Sequence, residues 1–598
     1  MIRSKFVGIS LILLGMLHIP VVDAEGPGDD VPGRFDEYEM LMLERPTLSL
    51  MEATPLEFPE GLVELWIRAL KRQEPELQRL IIDTMAMAFA EDLQGLDVAI
   101  DELVKLASAD RQDLDVLRAA VQTLIVLDVR DQQELFVKLA LSKGAAVSEI
   151  VEPALADWKS KAMESAWVDR VQEQAASPSQ MMLAIKGLAA INSAGANDAL
   201  RSLVLNTSAL RKLRLAAAQT LGTVSRESQL ELAAEFARRP DSQVLDGLLA
   251  VAVISGNDSD EAVSLLHKLV GHQNSVVQSL ALAHLFRVDS KLVEPHIGKL
   301  VDSSDVNVRR WCAKALVNGR KPGEIANLAS LLNDVNPGLR AFVAESLVDY
   351  GKSAELKPRV LSEVEKVLAG KNWRGCEQAC VVLGYLDCES AAGRMVELLG
   401  HPRADVKVAS AWGLSQLRVA EVLPDMLDHA ESVYQGLSSG ELNARMPGVT
   451  YHLAHLIFAF GDQGFTDATP LLEKLVPKSY DYGEYPRPAA VWALGLFYKD
   501  QSDCEFIPSL VERLRDDEGM FPELELVRIM CAVSLGRMNA KSAQDALTEY
   551  AGDNDVVGSA TRWGIEEITG EPVPLPPKKS TTNTKNQWFL TPLNPNAG

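Results

Sequence analysis

Residues 305–316 read Asp-Val-Asn-Val-Arg-Arg-Trp-Cys-Ala-Lys-Ala-Leu. Val308, Cys312, Ala315 and Leu316 stand at offsets 0, +4, +7 and +8, which is one face of a 3.6-residue helix. The phrase returns at Leu339, Val343, Ser346 and Leu347, at Gly375, Ala379, Val382 and Leu383, and at Val406, Ser410, Gly413 and Leu414. A second apolar stripe lies between copies, for example Ile325, Leu328, Leu331 and Leu332. The unit is therefore helix, turn, helix, with a period of about 31 residues, and a fixed period of that size marks a solenoid.

Working outward, the phrase recurs at Val116, Ala120, Thr123 and Leu124, blurs near Trp158, and returns at Ala184, Gly187 and Leu188. It continues through Leu213, Ala217, Thr220 and Leu221, through Leu245, Leu249, Ala252 and Val253, and through Val277, Ala281, His284 and Leu285. Beyond Leu414 the anchors Phe460, Leu494, Leu535 and Ile565 are spaced more widely, which implies insertions in turns. The pattern predicts an all-α chain: a right-handed α-solenoid of about 13–15 helical hairpins. It spans residues 58–570, with insertions at 433–450, 476–488 and 515–523. In solenoids such insertions fall on one face, often the binding face.

The +4 and +7 positions are mostly Ala, Ser, Gly, Thr or Cys, so neighbouring helices are expected to approach closely. Asp115, Asp305 and Asp405 precede second helices and are expected to cap their free N–H groups. The base that follows the first apolar position, as in Arg309, is expected to pair with the acid of the neighbouring repeat.

The chain has 598 residues and a net charge of −24, with pI near 4.9. That balance opposes binding to nucleic acid, where Lys and Arg must neutralise phosphates, and opposes adhesion to anionic lipid. It suits a protein partner that is neutral or basic. Arg3 and Lys5, then the apolar run from Phe6 to Leu17, then Ala24 before Glu25 read as an export signal cleaved after residue 24. Twelve apolar residues are too few for a span, which needs about 20. After cleavage no integral membrane span is expected, and the protein is read as exported, to a periplasm, cell envelope or extracellular space. Residues 25–57 form an irregular lead-in whose Phe35, Tyr38, Met40, Met42 and Leu43 are expected to cap the first repeat. Residues 571–598 form a proline-rich tail, interrupted by Trp588-Phe589-Leu590.

Residues 305–316 and 405–414 resemble HEAT repeats of the short, phycobilin-lyase-like type, and the resemblance covers roughly residues 58–570. Residues 489–495 and 532–538, with Ile568-Thr569-Gly570-Glu571-Pro572 and the terminal Trp588 to Leu593, are similar to exported bacterial HEAT-repeat proteins of unknown activity. The resemblance implies an armadillo-like helical scaffold and an exported setting. It implies no chemistry.

No catalytic constellation emerges. Gly436 to Gly440 matches G-x-S-x-G, but the pattern places a helix before it where a nucleophile elbow needs a strand. Gly351-Lys352-Ser353 lacks the upstream glycine of a phosphate loop and reads as a helix end. Of six cysteines, Cys312 and Cys531 sit at small core positions, while Cys376 or Cys380 with Cys388 is the disulfide pair to check. His452 and His455 read as core residues. The HEAT-repeat enzyme deoxyhypusine hydroxylase binds iron through His-Glu pairs, and this chain has no His-Glu dipeptide. No catalytic, cofactor-binding or metal-binding residue is assigned.

The expected function is that of a monomeric, non-enzymatic scaffold or adaptor. It would bind a protein through the concave face and the 433–490 insertions, with a structural envelope component or a HEAT-repeat enzyme as alternatives. The residues singled out for protein binding are Tyr480, Tyr482, Tyr485 and Arg487, because Tyr and Arg are enriched at hot spots, together with Trp588 and Phe589.

Overall fold

The structure is a computed structural model that describes residues 42, 45–48, 58–91, 93–109, 113–225, 229–240 and 244–576. The segment read as an export signal, most of the lead-in and the tail beyond residue 576, with Trp588 and Phe589, lie outside the described residues. Every regular element among those described is a helix, and the helices alternate between a shorter first and a longer second member of each pair. Ala392–Leu399 precedes Ala404–Leu417, and Ile507–Arg515 precedes Glu525–Arg537. This is an all-α solenoid. Its contacts divide it into two compact units, one holding residues 55–315 and the other residues 25–54 with 316–598.

In the second unit six second-layer helices follow one another: α1 (Trp373–Tyr385), α2 (Ala404–Leu417), α3 (Val449–Asp462), α4 (Pro486–Phe497), α5 (Glu525–Arg537) and α6 (Val556–Thr569). Each packs directly on the next. The contact is made by a position the sequence reading passed over. Gly384, Gly461, Gly495 and Gly536 stand at +9, one past the large +8 residue, and each faces the small +7 residue of the following helix. A methyl on Gly384 would lie 3.2 Å from the Gly413 backbone, on Gly461 2.9 Å from the Ala493 Cβ, and on Gly536 2.7 Å from the Gly564 Cα. In the first unit Gly222 meets the Ala252 carbonyl by the same rule, at 2.5 Å.

A second recurring device ends these helices. The residue at +12 is left-handed in Asp128, Asn192, Arg320, Asp387, Arg418, Gly464 and Asn539. At Arg418 the residue's own N–H bonds the Leu414 carbonyl. After five of these residues, Asp128, Asn192, Asp387, Gly464 and Asn539, the next N–H closes on the +8 carbonyl, as from Val129 to Leu124 at 3.1 Å and from Ala540 to Leu535 at 3.0 Å. That is a Schellman ending, which satisfies an otherwise orphaned carbonyl. Lys159 and the Ser160-to-Leu155 bond show the same ending. Val147, Val151, Ala154 and Leu155 therefore complete the phrase where the sequence reading found it blurred; the helix Ala145–Asp157 carries an internal Pro153.

A third device concerns the +1 position. Arg214, Arg309, Arg340, Arg487 and Arg528 reach back to main-chain carbonyls that close the first helix of their own hairpin: Val204, Ser303, Asp334, Leu475 and Leu514 respectively. Those carbonyls lack intrahelical partners and carry the negative end of the helix dipole, so a guanidinium satisfies them twice over. The expected ladder of base to neighbouring acid is thus replaced in most copies by capping. It survives where Arg340 lies 3.6 Å from Glu377 and where Arg487 meets Glu523. The acid caps are likewise mixed. Asp305 accepts from the Asn307 and Val308 N–H groups as expected. Before Val116 it is Asp113, not Asp115, that caps, and Asp405 lies inside the first turn, paired with Arg403.

Gly536→Ala is expected to lower stability by about 1–3 kcal/mol, because the added methyl meets backbone that cannot turn aside. Gly298, in the helix Glu294–Leu300, has nothing within 4 Å of the same methyl. Gly298→Ala should raise stability by up to ~1 kcal/mol from helix propensity alone. Urea midpoints of the two variants should move in opposite directions.

Candidate functional site

The insertions expected at 433–450, 476–488 and 515–523 overlap connectors without matching their bounds: residues 433–439 belong to a helix, 449–450 to α3 and 486–488 to α4. The helix Leu423–Ser439 is long, and residues 440–448 join it to α3. Residues 474–485 join the short helix Thr469–Glu473 to α4, and residues 516–524 join Ile507–Arg515 to α5. Ser438 of the G-x-S-x-G match lies within a helix, and its hydroxyl is 3.3 Å from that of Tyr482.

The tyrosine candidates divide by position. Tyr482 stacks on Tyr434 with centroids 5.2 Å apart, and Tyr485 packs on Tyr451 at 5.2 Å. Tyr480 stands out from the connector, 49% exposed, and its hydroxyl donates to the Pro522 carbonyl at 2.6 Å. The Lys478 ammonium bonds the Phe521 carbonyl and pairs with Asp516 at 2.7 Å. Two connectors are therefore tied together, and they present Tyr480 beside Met520 and Phe521, which are 86% and 67% exposed.

Arg487 has a different place from the one expected. Its side chain is fully buried and forms a two-pronged pair with the equally buried Glu523, at 2.6 and 2.7 Å. Its remaining donors go to the Leu475, Val476 and Pro477 carbonyls. Glu523 also accepts from the Leu524 N–H at 2.9 Å. Although burial opposes its charge, the bonds from Arg487 and Leu524 hold its carboxyl below the ordinary 4.5. Arg487 thus fastens the base of the tyrosine connector to the next repeat and presents nothing to a partner.

A second feature lies on the surface of the second-layer helices. Trp412, Phe458 and Trp492 occupy +6 in α2, α3 and α4, where the earlier repeats have Lys314, Glu345 and Val381. Asp462 and Arg537 follow at +10 in α3 and α5, on the same faces. Trp412, Phe458, Asp462 and Trp492, with Gln416, Arg418, His455 and Arg45, border a cavity of about 110 Å³, and Arg537 stands beside it against Trp492. Phe458 meets Trp492 edge to face at 5.1 Å, and the Arg537 guanidinium lies 5.4 Å from the centre of the Trp492 indole. Burial pushes Arg537 down to about 10, so it stays charged at neutral pH. The lead-in reaches this groove: Arg45 pairs with Asp462 at 2.8 Å, and its carbonyl accepts from Trp492 Nε1 at 3.0 Å and from Arg537. Of the residues expected to cap the first repeat, Phe35, Tyr38, Met40 and Leu43 lie outside the described residues and Met42 is buried, while Arg45 is bonded to these later repeats. Three consecutive aromatics at +6 were the sequence signal for the groove.

The remaining candidates are structural. His452 is buried, its Nδ1 is 2.7 Å from the Gly448 carbonyl, and its ring lies 5.4 Å from that of His429. Burial lowers His452 to about 4 and His455 to about 3. Cys376, Cys380 and Cys388, which hold the pair to check for a disulfide, are free thiols; the Cys376 Sγ is taken up by the Leu368 and Gly370 carbonyls and Cys388 lies against Glu365. Among the described residues no group of three or more His, Cys, Asp or Glu is placed to hold a metal ion, and no helix is long and apolar enough to cross a membrane.

Glu523→Gln leaves a buried guanidinium without its counter-charge and should cost about 3–5 kcal/mol, read as a lowered urea midpoint. The wild type should also weaken in acid. A carboxyl held below 4.5 contributes stability that is complete above that value and is lost as pH falls through the depressed one. The buried imidazoles, held below 6.5, act in the same direction from pH 6.5 downward. Melting temperature should be level above pH 6.5 and fall steadily toward pH 4.

No family model and no curated protein matches the chain. Solved structures do. Kap95p, in a structure described as inducing the switch loops of RanGDP to adopt the GTP-bound conformation, is 14% identical over 85% of this chain and 72% of its own, with a TM-score of 0.50. The Kap95:Nup1 complex matches at 12% identity with the same coverage and TM-score. Identity this low speaks to fold alone: this chain shares the α-solenoid architecture of those HEAT-repeat proteins.

Proposed function

We propose that this chain is an exported, monomeric, non-enzymatic scaffold that binds a protein partner along the edge formed by residues 433–490 and the neighbouring 516–524 connector. It would be of the short-repeat kind, like the exported bacterial HEAT-repeat proteins it resembles in sequence. The observation that carries this reading is the exposed trio Tyr480, Met520 and Phe521, held in place by the Tyr480–Pro522 and Lys478–Phe521 bonds. Single exposed apolar residues are ordinary on any protein. The Tyr480 ring and the main chain at Phe521 and Pro522 are already held by hydrogen bonds and lose little freedom on binding, which is what a recognition edge requires. Rigid helical pairs beneath it, fastened by the Arg487–Glu523 pair, supply the support. The net charge of −24 favours a partner with a neutral or basic face. In Kap95p, a protein of the same fold, the bound molecules are RanGDP and Nup1, which supports a binding role here by analogy of architecture.

Cross-linking of the full chain in envelope extract tests the reading. Tyr480→Ala with Phe521→Ser should remove the partners that the wild type captures, while Leu114→Ser, an exposed apolar residue in the other unit, should keep them. An unchanged partner set with the double variant would sink the proposal. Export is tested separately: the mature protein should begin at Glu25.

A further inference from the structure

We infer that the groove bordered by Trp412, Phe458, Asp462 and Trp492, with Arg537 beside it, is a binding site for an arginine-bearing polypeptide segment, occupied in cis by residues 45–48 and open to the same kind of segment from a partner. The inference rests on the scaffold reading only for the existence of a partner. The site itself stands on the bonds to Arg45.

The bonds define what the groove reads. Trp492 Nε1 and Arg537 both donate to the Arg45 carbonyl, a group that every residue of any polypeptide carries. Asp462 accepts from the Arg45 guanidinium, which selects a cation. Met42 and Leu48 on either side are buried, so the seated segment presents apolar, arginine and apolar positions in turn. The reading set is thus one carboxylate, two side-chain donors aimed at a main-chain carbonyl, and aromatic walls on consecutive repeats, and no part of it depends on the segment belonging to this chain.

The same bonds show why the occupant can exchange. The Arg45 side chain is half exposed, and pairs of that kind hold weakly against water and salt. Asp462 is also held by Arg418, so its charge stays compensated when Arg45 leaves. By contrast the partly buried Trp492 Nε1 loses its acceptor when Arg45 leaves, while Arg537 keeps its bond to the Trp492 carbonyl, so the indole N–H calls for another carbonyl. A groove that needs a carbonyl and holds its present one by a solvent-exposed pair is suited to trading one segment for another. The net charge of −24 draws in a basic competitor. Cleavage after Ala24 would leave residues 45–48 in the mature chain.

The test uses the full chain with residues 41–50 replaced by a Gly-Ser run of equal length, and a fluorescein-labelled peptide of residues 41–50 as the probe. The replaced chain should keep its helical circular dichroism and bind the peptide. The wild type should bind it about tenfold more weakly or worse, because its own segment competes. A peptide with alanine in place of the arginine should not bind, and Trp492→Phe in the replaced chain should lose most of the affinity. Tyr480→Ala should leave peptide binding unchanged, so failure of the connector edge and failure of the groove are distinguishable. A folded replaced chain that ignores the peptide overturns the inference. So does equal binding by the arginine and alanine peptides, or equal binding by wild type and replaced chain. A replaced chain that cannot fold overturns it as well, since residues 45–48 would then be a fixed part of the core.

Discussion

Backbone meets backbone where the +9 glycine of one second-layer helix faces the +7 small residue of the next, and the rest of the structure depends on that approach. At Gly384 on Gly413, Gly461 on Ala493 and Gly536 on Gly564 there is no room for a methyl group. Dispersion between packed backbones is small per atom and large in sum, and it is lost quickly if the helices are held apart. The approach also sets what lies on the exposed side. With consecutive helices this close, +6 residues of successive repeats line up, and Trp412, Phe458 and Trp492 become one wall.

A close-packed array leaves a polar problem at every turn, since each helix ends in carbonyls without partners. The chain answers it in two ways, and both occur together in the repeat of Arg528. Left-handed +12 residues let a following N–H close on the +8 carbonyl, and +1 arginines reach back to the end of the first helix. Arg487 shows how this housekeeping becomes architecture. It caps the end of one helix and, through Glu523, ties two connectors that would otherwise be long loops on a solvent face. The exposed trio at Tyr480, Met520 and Phe521 stands on that tie.

Much of the fold was legible in the residues. The offsets 0, +4, +7 and +8 named the helices, their pairing and the class of architecture, because burying one face of a helix imposes a period that survives any substitution preserving size and polarity. The site was legible only in part. Tyr480 was singled out because a tyrosine in a lengthened turn is conspicuous, and it does stand exposed on its connector. Arg487 was placed on the surface for the same reason, although its +1 position, shared with Arg214, Arg309, Arg340 and Arg528, marked it as a capping residue. Asp115 and Asp405 were read as caps because an acid before a helix so often is one; a shift of the helix start moved the task to Asp113 in one case and left it unfilled by the acid in the other.

The sequence by itself determined the repeat, the small residues that permit close packing, the acidity of the chain and the absence of a recognisable catalytic motif. These follow from local periodicity and composition, which depend only on near neighbours along the chain. The tertiary structure alone decided which partners the side chains found. Arg45 meets Asp462, Trp492 and Arg537 across more than four hundred residues, and Cys376 and Cys388 remain free thiols with separate neighbours. No pattern of spacing carries such information, because the contacts depend on where distant segments come to rest once every repeat has been stacked.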